Sequence, residues 1–184
     1  MKTLTEQDYI NAAKELGCEV AAIKTVSEVE APKGGFQADG RPTILFERHK
    51  FHEFTKGKYS KEFPDISNER PGGYTKENEH ARLDKAAKLN RTAALKSASW
   101  GKFQIMGFNH SLVGFPVLQD FINAMYKSEG EQLKAFVKFI KANKLDDELR
   151  DKRWSDFARI YNGRNYHINA YDEKMAAAYK KYSK

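Results

Sequence analysis

Residues 20–30 read Val-Ala-Ala-Ile-Lys-Thr-Val-Ser-Glu-Val-Glu, a stretch that predicts a helix with one apolar side. At about 100° per residue, one face of this helix carries the aliphatic side chains of Val20, Ile23, Val26 and Val29. Glu30 follows Val26 by four residues and Ile23 by seven, so its carboxyl group projects from the same face. Glu28 falls on the opposite side, together with Lys24.

A carboxyl group on that apolar face would be chemically useful. Burial disfavours the charged form and raises the pKa of the group. A carboxylic acid that stays protonated near neutral pH can act as a general acid. Because glutamate is rarely fully buried, the alternative is a side chain at the helix end that bends away into water. The helical phase favours Glu30 as the acid, with Glu28 as its rival two residues away.

Composition limits the class of protein. The 184 residues, 40% hydrophobic and 31% charged, predict one globular domain that spans residues 1–184. No run approaches the roughly 20 apolar residues of a membrane span. The N-terminus lacks the apolar stretch of a secretory signal, so we expect synthesis in the cytoplasm. The single cysteine, Cys18, excludes an internal disulfide.

The net charge of +7 predicts attraction to anionic polymers, such as nucleic acid, lipid headgroups or bacterial wall. No zinc-finger or RNA-binding signature accompanies the charge, so we expect no nucleic-acid partner. The five histidines are scattered without metal-ligand spacing, and we expect neither a metal nor a cofactor. The expected oligomeric state is a monomer.

Hydrophobic periodicity predicts a mainly α-helical α+β fold with a small β element near residues 43–47. A capping box at Thr5–Asp8 opens the first helix, in which Ile10 is directed inward. Further helices are predicted over residues 79–97, 121–127, 131–142 and 171–182. Another helix is predicted to begin near Trp154, with Ser155 as its cap. Residues 55–77 are predicted to form an irregular loop, of a length that usually lines or covers a site.

The segment SASWGKFQIMGFN, residues 97–109, places three polar side chains among aromatic ones. The three are Ser99, Gln104 and Asn109. Sugars present apolar ring faces as well as hydroxyl groups, so a segment of this kind suits a saccharide-binding groove. The alternative is a core segment that contains one buried amide.

Two further segments carry polar side chains at the ends of predicted elements. Tyr161-Asn162-Gly163 ends a helix and leaves a phenol and an amide there, although Asn and Gly are also ordinary helix C-cap residues. Glu47 follows the predicted strand and precedes Arg48. This arrangement predicts either a second functional carboxylate or a structural glutamate paired with that arginine.

In their order along the chain, these segments resemble the lysozyme-like superfamily shared by goose-type lysozymes and lytic transglycosylases. More closely, four motifs are similar to the N-acetylmuramidase domain of phage and prophage endolysins: AAIKTVSEVEAPKGGF, GRPTILFERHKF, SASWGKFQIMGFN and ARIYNGRNY. Together they extend over nearly the whole chain. Many such endolysins carry a separate peptidoglycan-binding module. We expect none in residues 1–184, so wall targeting would depend on the basic surface of the catalytic domain.

The resemblance implies hydrolysis of the β-1,4 bond between N-acetylmuramic acid and N-acetylglucosamine in peptidoglycan glycan strands, with Glu30 as the general acid. It implies binding or orienting roles for Ser99, Gln104, Tyr161 and Asn162. Asn109 joins them as a substrate-binding candidate from the same polar segment. It also implies holin-dependent release to the cell wall, followed by lysis of the host cell.

The sequence leaves the second carboxylate open. Glu47 and Asp39 are both candidates, as nucleophile or as water-activating base, and the stereochemical outcome depends on their separation from the acid. A lytic transglycosylase would use the same Glu30 and form an anhydro sugar. A cationic wall-binding or membrane-binding protein without catalysis is the alternative from a different class.

The last predicted helix has an aromatic side surrounded by lysines. Tyr171, Met175, Tyr179 and Tyr182 share that side, and we expect it to pack on the domain. As a further hypothesis, the lysines attract the helix to anionic outer-membrane lipid.

Overall fold

The computed structural model describes residues 2–30, 34–74, 78–161, 163 and 166–184, with Tyr166 described for its backbone only. Within these residues the helices are α1 (Glu6–Leu16), α2 (Val20–Glu30), α3 (Arg48–Thr55), α4 (Glu79–Lys96), α5 (Leu118–Lys127), α6 (Glu129–Ala142), α7 (Asp146–Asp151), α8 (Trp154–Tyr161) and α9 (Tyr171–Tyr182). The strands are β1 (Ile44–Phe46), β2 (Ala98–Trp100) and β3 (Ile105–Met106). Short 3₁₀ helices cover Gly107–Asn109 and Tyr166–Asn169. The predicted mainly helical α+β class is confirmed.

The three strands form one antiparallel sheet in the order β1-β2-β3. Because side chains alternate along a strand, its two faces differ. One face is buried in the core and consists of Ile44, Phe46, Ala98, Trp100 and Ile105. The other face carries Leu45, Ser99 and Met106, which are opposite one another across the strands. The predicted β element near residues 43–47 is confirmed as β1, whereas β2 and β3 were not predicted.

A buried ion pair connects α4 to β1. Arg82 is 1% exposed, and its guanidinium donates to both carboxylate oxygens of Glu79 and to the backbone carbonyl of Phe46. The Glu79 carboxylate in turn accepts a hydrogen bond from the Phe46 amide. A buried arginine is tolerated only when it is paired and hydrogen-bonded in this way, and the arrangement fixes the sheet against α4.

The last helix, α9, packs along α2. Its Met175 is fully buried and Ala178 nearly so. At its C-terminal end, Lys181 and Tyr182 both donate to the Glu28 carboxylate of α2. The Tyr179 hydroxyl donates to Glu19. The prediction that the apolar side of this helix packs on the domain is confirmed by the burial of Met175.

Several local predictions were wrong. Ile10 is 41% exposed, because the core-facing side of α1 is formed by Ala12 and by Ala13 and Leu16, the last two of which were also expected there. Ser155 is no helix cap: it lies inside α8 and its hydroxyl donates to Asp172. Helix α3 (Arg48–Thr55) was not predicted, whereas the irregular loop predicted after it is confirmed over residues 56–74, which consist largely of turns.

In α4, Asn90 has non-helical angles (φ −157°, ψ 99°), and its side chain accepts from the Ala93 amide, so it restarts the helix after a kink. Among the described residues, no helix combines the length and apolar character that a membrane crossing requires.

Candidate active site

Glu30 is the last residue of α2 and is partly buried. Val26 and Ile23, one and two turns before it, are fully buried, which confirms the predicted core-facing stripe. Burial raises the pKa of the Tyr161 phenol of α8 well above its usual value, and the nearby Glu30 charge adds to that effect. Burial and the Glu30 charge raise the pKa of Tyr171 of α9 in the same way. Glu30 therefore lies within electrostatic range of phenols from two other helices.

Glu28, the rival acid, is exposed and already bound. Lys181 Nζ lies 2.6 Å from its carboxylate, and the Tyr182 hydroxyl donates to the same oxygen. These two hydrogen bonds hold the pKa of Glu28 below its usual range, so the group is ionised at neutral pH. An ionised carboxylate has no proton to donate, and the environment of Glu28 agrees with the helical phase that ranked it behind Glu30.

The β2–β3 hairpin brings Ser99 and Gln104 together. The Ser99 hydroxyl donates to Gln104 Oε1 at 2.6 Å, and Gln104 Nε2 donates to the Gly101 carbonyl at 2.9 Å. Gly101 and Gln104 both have left-handed backbone angles, with φ of +70° and +48°. A glycine is required at position 101, because a Cβ there would lie 2.5 Å from the side chain of Gln132.

Two buried polar residues of α6 join the hairpin to the segment that follows α2. Gln132 is 1% exposed; its Oε1 accepts from the Lys102 amide at 2.7 Å, and its Nε2 donates to the carbonyls of Gly35 and Met125. Glu129 accepts from the Gly35 amide at 2.7 Å. Neither residue was predicted from the sequence. The pattern that could have indicated them is a pair of polar side chains, three residues apart, on the face of α6 that also carries buried core residues.

Tyr161 contacts the hairpin from the other side. Its hydroxyl donates to the carbonyl of Phe103, the residue before Gln104, at 2.7 Å. Its ring stacks on that of Phe157 at a centroid distance of 5.4 Å. This phenol therefore fixes the hairpin relative to α8 while it lies close to the Glu30 charge. Asn162, predicted to act beside it, lies outside the described residues.

Glu47 is not paired with Arg48, whose guanidinium donates instead to the carbonyls of Arg70 and Pro71. The Tyr74 hydroxyl lies 3.0 Å from both oxygens of the Glu47 carboxylate, and His49 Nδ1 lies 3.3 Å from one of them. Burial, followed by the Glu47 charge, raises the pKa of Tyr74 to about 12, so this phenol remains a hydrogen-bond donor.

The remaining two candidates have contrasting surroundings. Asp39 lies in an exposed turn, where the Arg41 side chain and backbone amide both bind its carboxylate and hold its pKa below the usual range. Asn109 ends a 3₁₀ helix and is half-buried. Its side-chain amide makes no hydrogen bond with the described residues, so it is available to a ligand. No cluster of three potential metal-ligating side chains occurs in the described part of the chain.

A small antiparallel sheet packed among helices, with a carboxylate at the end of α2, is the architecture of the lysozyme-like α+β proteins, a class of peptidoglycan-cleaving enzymes. The family model described as Muramidase, N-acetylmuramidase, matches residues 19–183. The chain belongs to the N-acetylmuramidase family, which confirms the resemblance that the four sequence motifs indicated.

Among solved structures, the chain is similar to the Burkholderia AP3 phage endolysin, with 42% sequence identity and a TM-score of 0.92. The match covers 99% of this chain and 71% of that chain. Comparison with curated proteins gives no significant match. Family and neighbour together support a peptidoglycan-hydrolysing endolysin.

Proposed function

We propose that this chain is an endolysin-type muramidase that hydrolyses the β-1,4 bond between N-acetylmuramic acid and N-acetylglucosamine and so lyses the bacterial cell. The observation that carries the proposal is the place of Glu30, a partly buried carboxylate at the end of α2 beside the buried phenol of Tyr161. Glu28, by contrast, is exposed and ion-paired with Lys181.

In the proposed mechanism, Glu30 donates its proton to the glycosidic oxygen as the bond to the anomeric carbon breaks. The sugar ring then develops oxocarbenium character, and the protonated oxygen leaves with the departing chain. General-acid catalysis of this kind contributes roughly 10²–10⁴ to the rate.

We propose Glu47 as the second carboxylate, either as nucleophile or as the base that activates water. Its support is the Tyr74 hydroxyl, which donates to both carboxylate oxygens and would hold the carboxylate in one orientation, with His49 Nδ1 3.3 Å away. Asp39 remains a candidate with less support, because Arg41 already occupies its carboxylate.

The polar residues of the hairpin region have two proposed kinds of role. The polar atoms of Ser99, Gln104 and Tyr161 form hydrogen bonds within the protein. These bonds support a role for the three residues in shaping and orienting the saccharide groove. Asn109 has a side-chain amide available to hydrogen-bond the glycan. Asn162 keeps its proposed binding role from the family resemblance alone.

Digestion of purified peptidoglycan, followed by mass spectrometry, tests the proposal. Reducing muramic ends are expected; anhydro-muramic ends would show a lytic transglycosylase, and no release would show a binding protein. Glu30→Gln should lower turnover roughly 10²–10⁴-fold. The matched control is Glu28→Gln, which removes an exposed carboxylate from the same helix and should keep near-wild-type turnover. If the two variants behaved alike, the assignment of the acid would be wrong.

The proposed place of action is the cell wall, reached by holin-dependent release after synthesis in the cytoplasm. A second proposed partner is anionic outer-membrane lipid, supported by the exposed lysines Lys174 and Lys180 on α9 and Lys184 two residues beyond its end. Because Met175 of this helix is buried, charge reversal is a better test than deletion. Reversing the three lysines to glutamate should reduce killing of intact Gram-negative cells more than digestion of purified wall, whereas equal losses would refute the lipid contact.

A further inference from the structure

A groove runs between α4 and α5, separate from the candidate active site. Its volume is about 440 Å³, within the range of roughly 300–1,000 Å³ that is usual for ligand sites. Trp100 lines it from the sheet. Since Ser99 and Trp100 are consecutive residues of β2, their side chains point to opposite faces, and the groove lies on the far side of the sheet from Ser99.

The floor of the groove is apolar. It consists of Leu83, Leu95, Trp100 and Ile122, all 7% exposed or less, and of the small side chain of Ala87. The indole nitrogen of Trp100 donates to the Leu95 carbonyl, so this buried ring closes the floor without an unpaired polar atom. The ring of Tyr126 lies 6.3 Å from that of Trp100 and is 39% exposed at the rim.

Three polar side chains around this floor, Asp84, Tyr126 and His80, have atoms that form no bond with the described residues. The carboxylate of Asp84 and the hydroxyl of Tyr126 make no hydrogen bond or ion pair with the described residues, although both line the groove. His80 Nε2 lies 2.8 Å from the Pro42 carbonyl and must be its donor. Burial holds the pKa of His80 below its usual value, so the ring is neutral and its Nδ1 is an acceptor.

A chain of side chains orients a donor on the opposite wall. Arg91 donates to Gln119 Oε1, and Gln119 Nε2 donates to Asn123 Oδ1 at 2.9 Å. With its oxygen occupied, Asn123 presents its amide N–H groups, for which the described residues provide no acceptor. The groove thus offers separate donors and acceptors in fixed positions over an apolar floor.

We propose that the α4–α5 groove is a second saccharide-binding site, which holds N-acetylated sugar units of the glycan away from the bond that is cleaved. Charges in the groove balance, because Arg41 is bound to Asp39 and Arg91 is offset by Asp84. A balanced set of donors and acceptors with an aromatic rim suits hydroxyl and acetamido groups better than a phosphate. The identity of the glycan as peptidoglycan rests on the proposed function.

A second cavity shows why this groove stands out. The pocket between α1 and α6, about 330 Å³, also has charged walls, but all of its charged side chains except Lys138 are bound within the protein. Asp8 is bound to Thr5, and Glu131 to Lys127 and Lys134. That pocket offers a ligand few unused polar groups.

A second glycan site would act through effective concentration. Once the groove holds one part of a strand, engagement of the active site by another part becomes intramolecular, which raises binding to a long polymer without any change at the catalytic centre.

The test measures binding in the Glu30→Gln background, so that the wall is not digested during the assay. In this background the double change Asp84→Ala/Asn123→Ala should weaken cosedimentation with purified peptidoglycan sacculi about tenfold, since two hydrogen bonds, one to a charged group, are lost. The matched control is Lys88→Ala/Asp120→Ala, which removes exposed side chains of the same two helices outside the groove and should leave binding unchanged.

A titration with tri-N-acetylchitotriose, followed by amide shifts in two-dimensional NMR, locates the contact. We expect shifts around Asp84, Asn123 and Tyr126 that the double variant loses while its spectrum otherwise stays folded. Shifts confined to Ser99 and residues 101–104, or equal sacculus binding by both double variants, would overturn the proposal. Groove shifts in a protein whose wild-type form released no glycan would support the saccharide site and refute the proposed hydrolysis. Glycan release by the wild type without groove shifts would support the proposed hydrolysis and refute the saccharide site in the groove.

Discussion

Replacing Gln132 by leucine tests the buried connection between the hairpin and the segment after α2. Leucine fills a similar volume but can make none of the three hydrogen bonds of Gln132, to the Lys102 amide and to the Gly35 and Met125 carbonyls. Each is worth about 1 kcal/mol net, and more when a buried partner is left unsatisfied. The expected loss of stability is therefore about 3 kcal/mol, a large share of the roughly 5–15 kcal/mol of a typical domain.

For a chain of this size, that loss corresponds to a fall in Tm of about 6–12 °C, measurable by calorimetry. Turnover of peptidoglycan well below the Tm should also fall, because Gln132 aligns the hairpin with the chain that leaves α2, and small misplacements of reacting groups are costly. The matched control is Gln7→Leu, which removes an exposed glutamine bonded only to Asn11. If the Tm of Gln132→Leu stayed within about 2 °C of that control, the reasoning about this connection would be refuted.

Three further outcomes follow from the structure. His80 has a lowered pKa when folded, so its contribution to stability is present above pH ~6.5 and is lost as pH falls through the folded value. Urea unfolding at pH 8 and pH 5 should therefore show a smaller acid-induced loss in His80→Gln, and equal losses would contradict this. Tyr161→Phe should cost about 1–2 kcal/mol of unfolding free energy, because the Phe103 carbonyl loses its donor; an unchanged thermal melt would rule that out. Gly101→Ala should cost at least about 1–2 kcal/mol of unfolding free energy, because alanine disfavours the left-handed backbone at this position. Chemical denaturation can compare this loss with that of Gly72→Ala, where φ is also positive but an added Cβ would contact nothing.

The features that could be predicted from sequence are those set by local periodicity. The apolar stripe of α2 fixed the side of the helix on which Glu30 lies, and the same argument separated it from Glu28. The apolar run at residues 44–46 was recognisable as a strand for similar reasons. Amphipathic spacing also located α9 and its packed side correctly.

The features that were missed depend on contacts between distant parts of the chain. Gln132 and Gly35 are 97 residues apart, and no local pattern indicates that they meet. Pairing of Glu47 with its neighbour Arg48 was one of two alternatives, but Arg48 binds carbonyls of the long loop, and Tyr74 of that loop donates to Glu47. The partner of a polar side chain is set by tertiary packing, which spacing along the sequence does not encode.

The contact between α9 and α2 has a consequence for the order in which the protein matures. Glu28 is bound by Lys181 and Tyr182, more than 150 residues later in the chain, so the helix that carries Glu30 gains this packing partner only after α9 has been synthesised. Such long-range contacts form late and slowly in folding. A ribosome-bound nascent chain that still lacks α9 would therefore hold the helix that carries Glu30 against α1 but without the contact that binds Glu28.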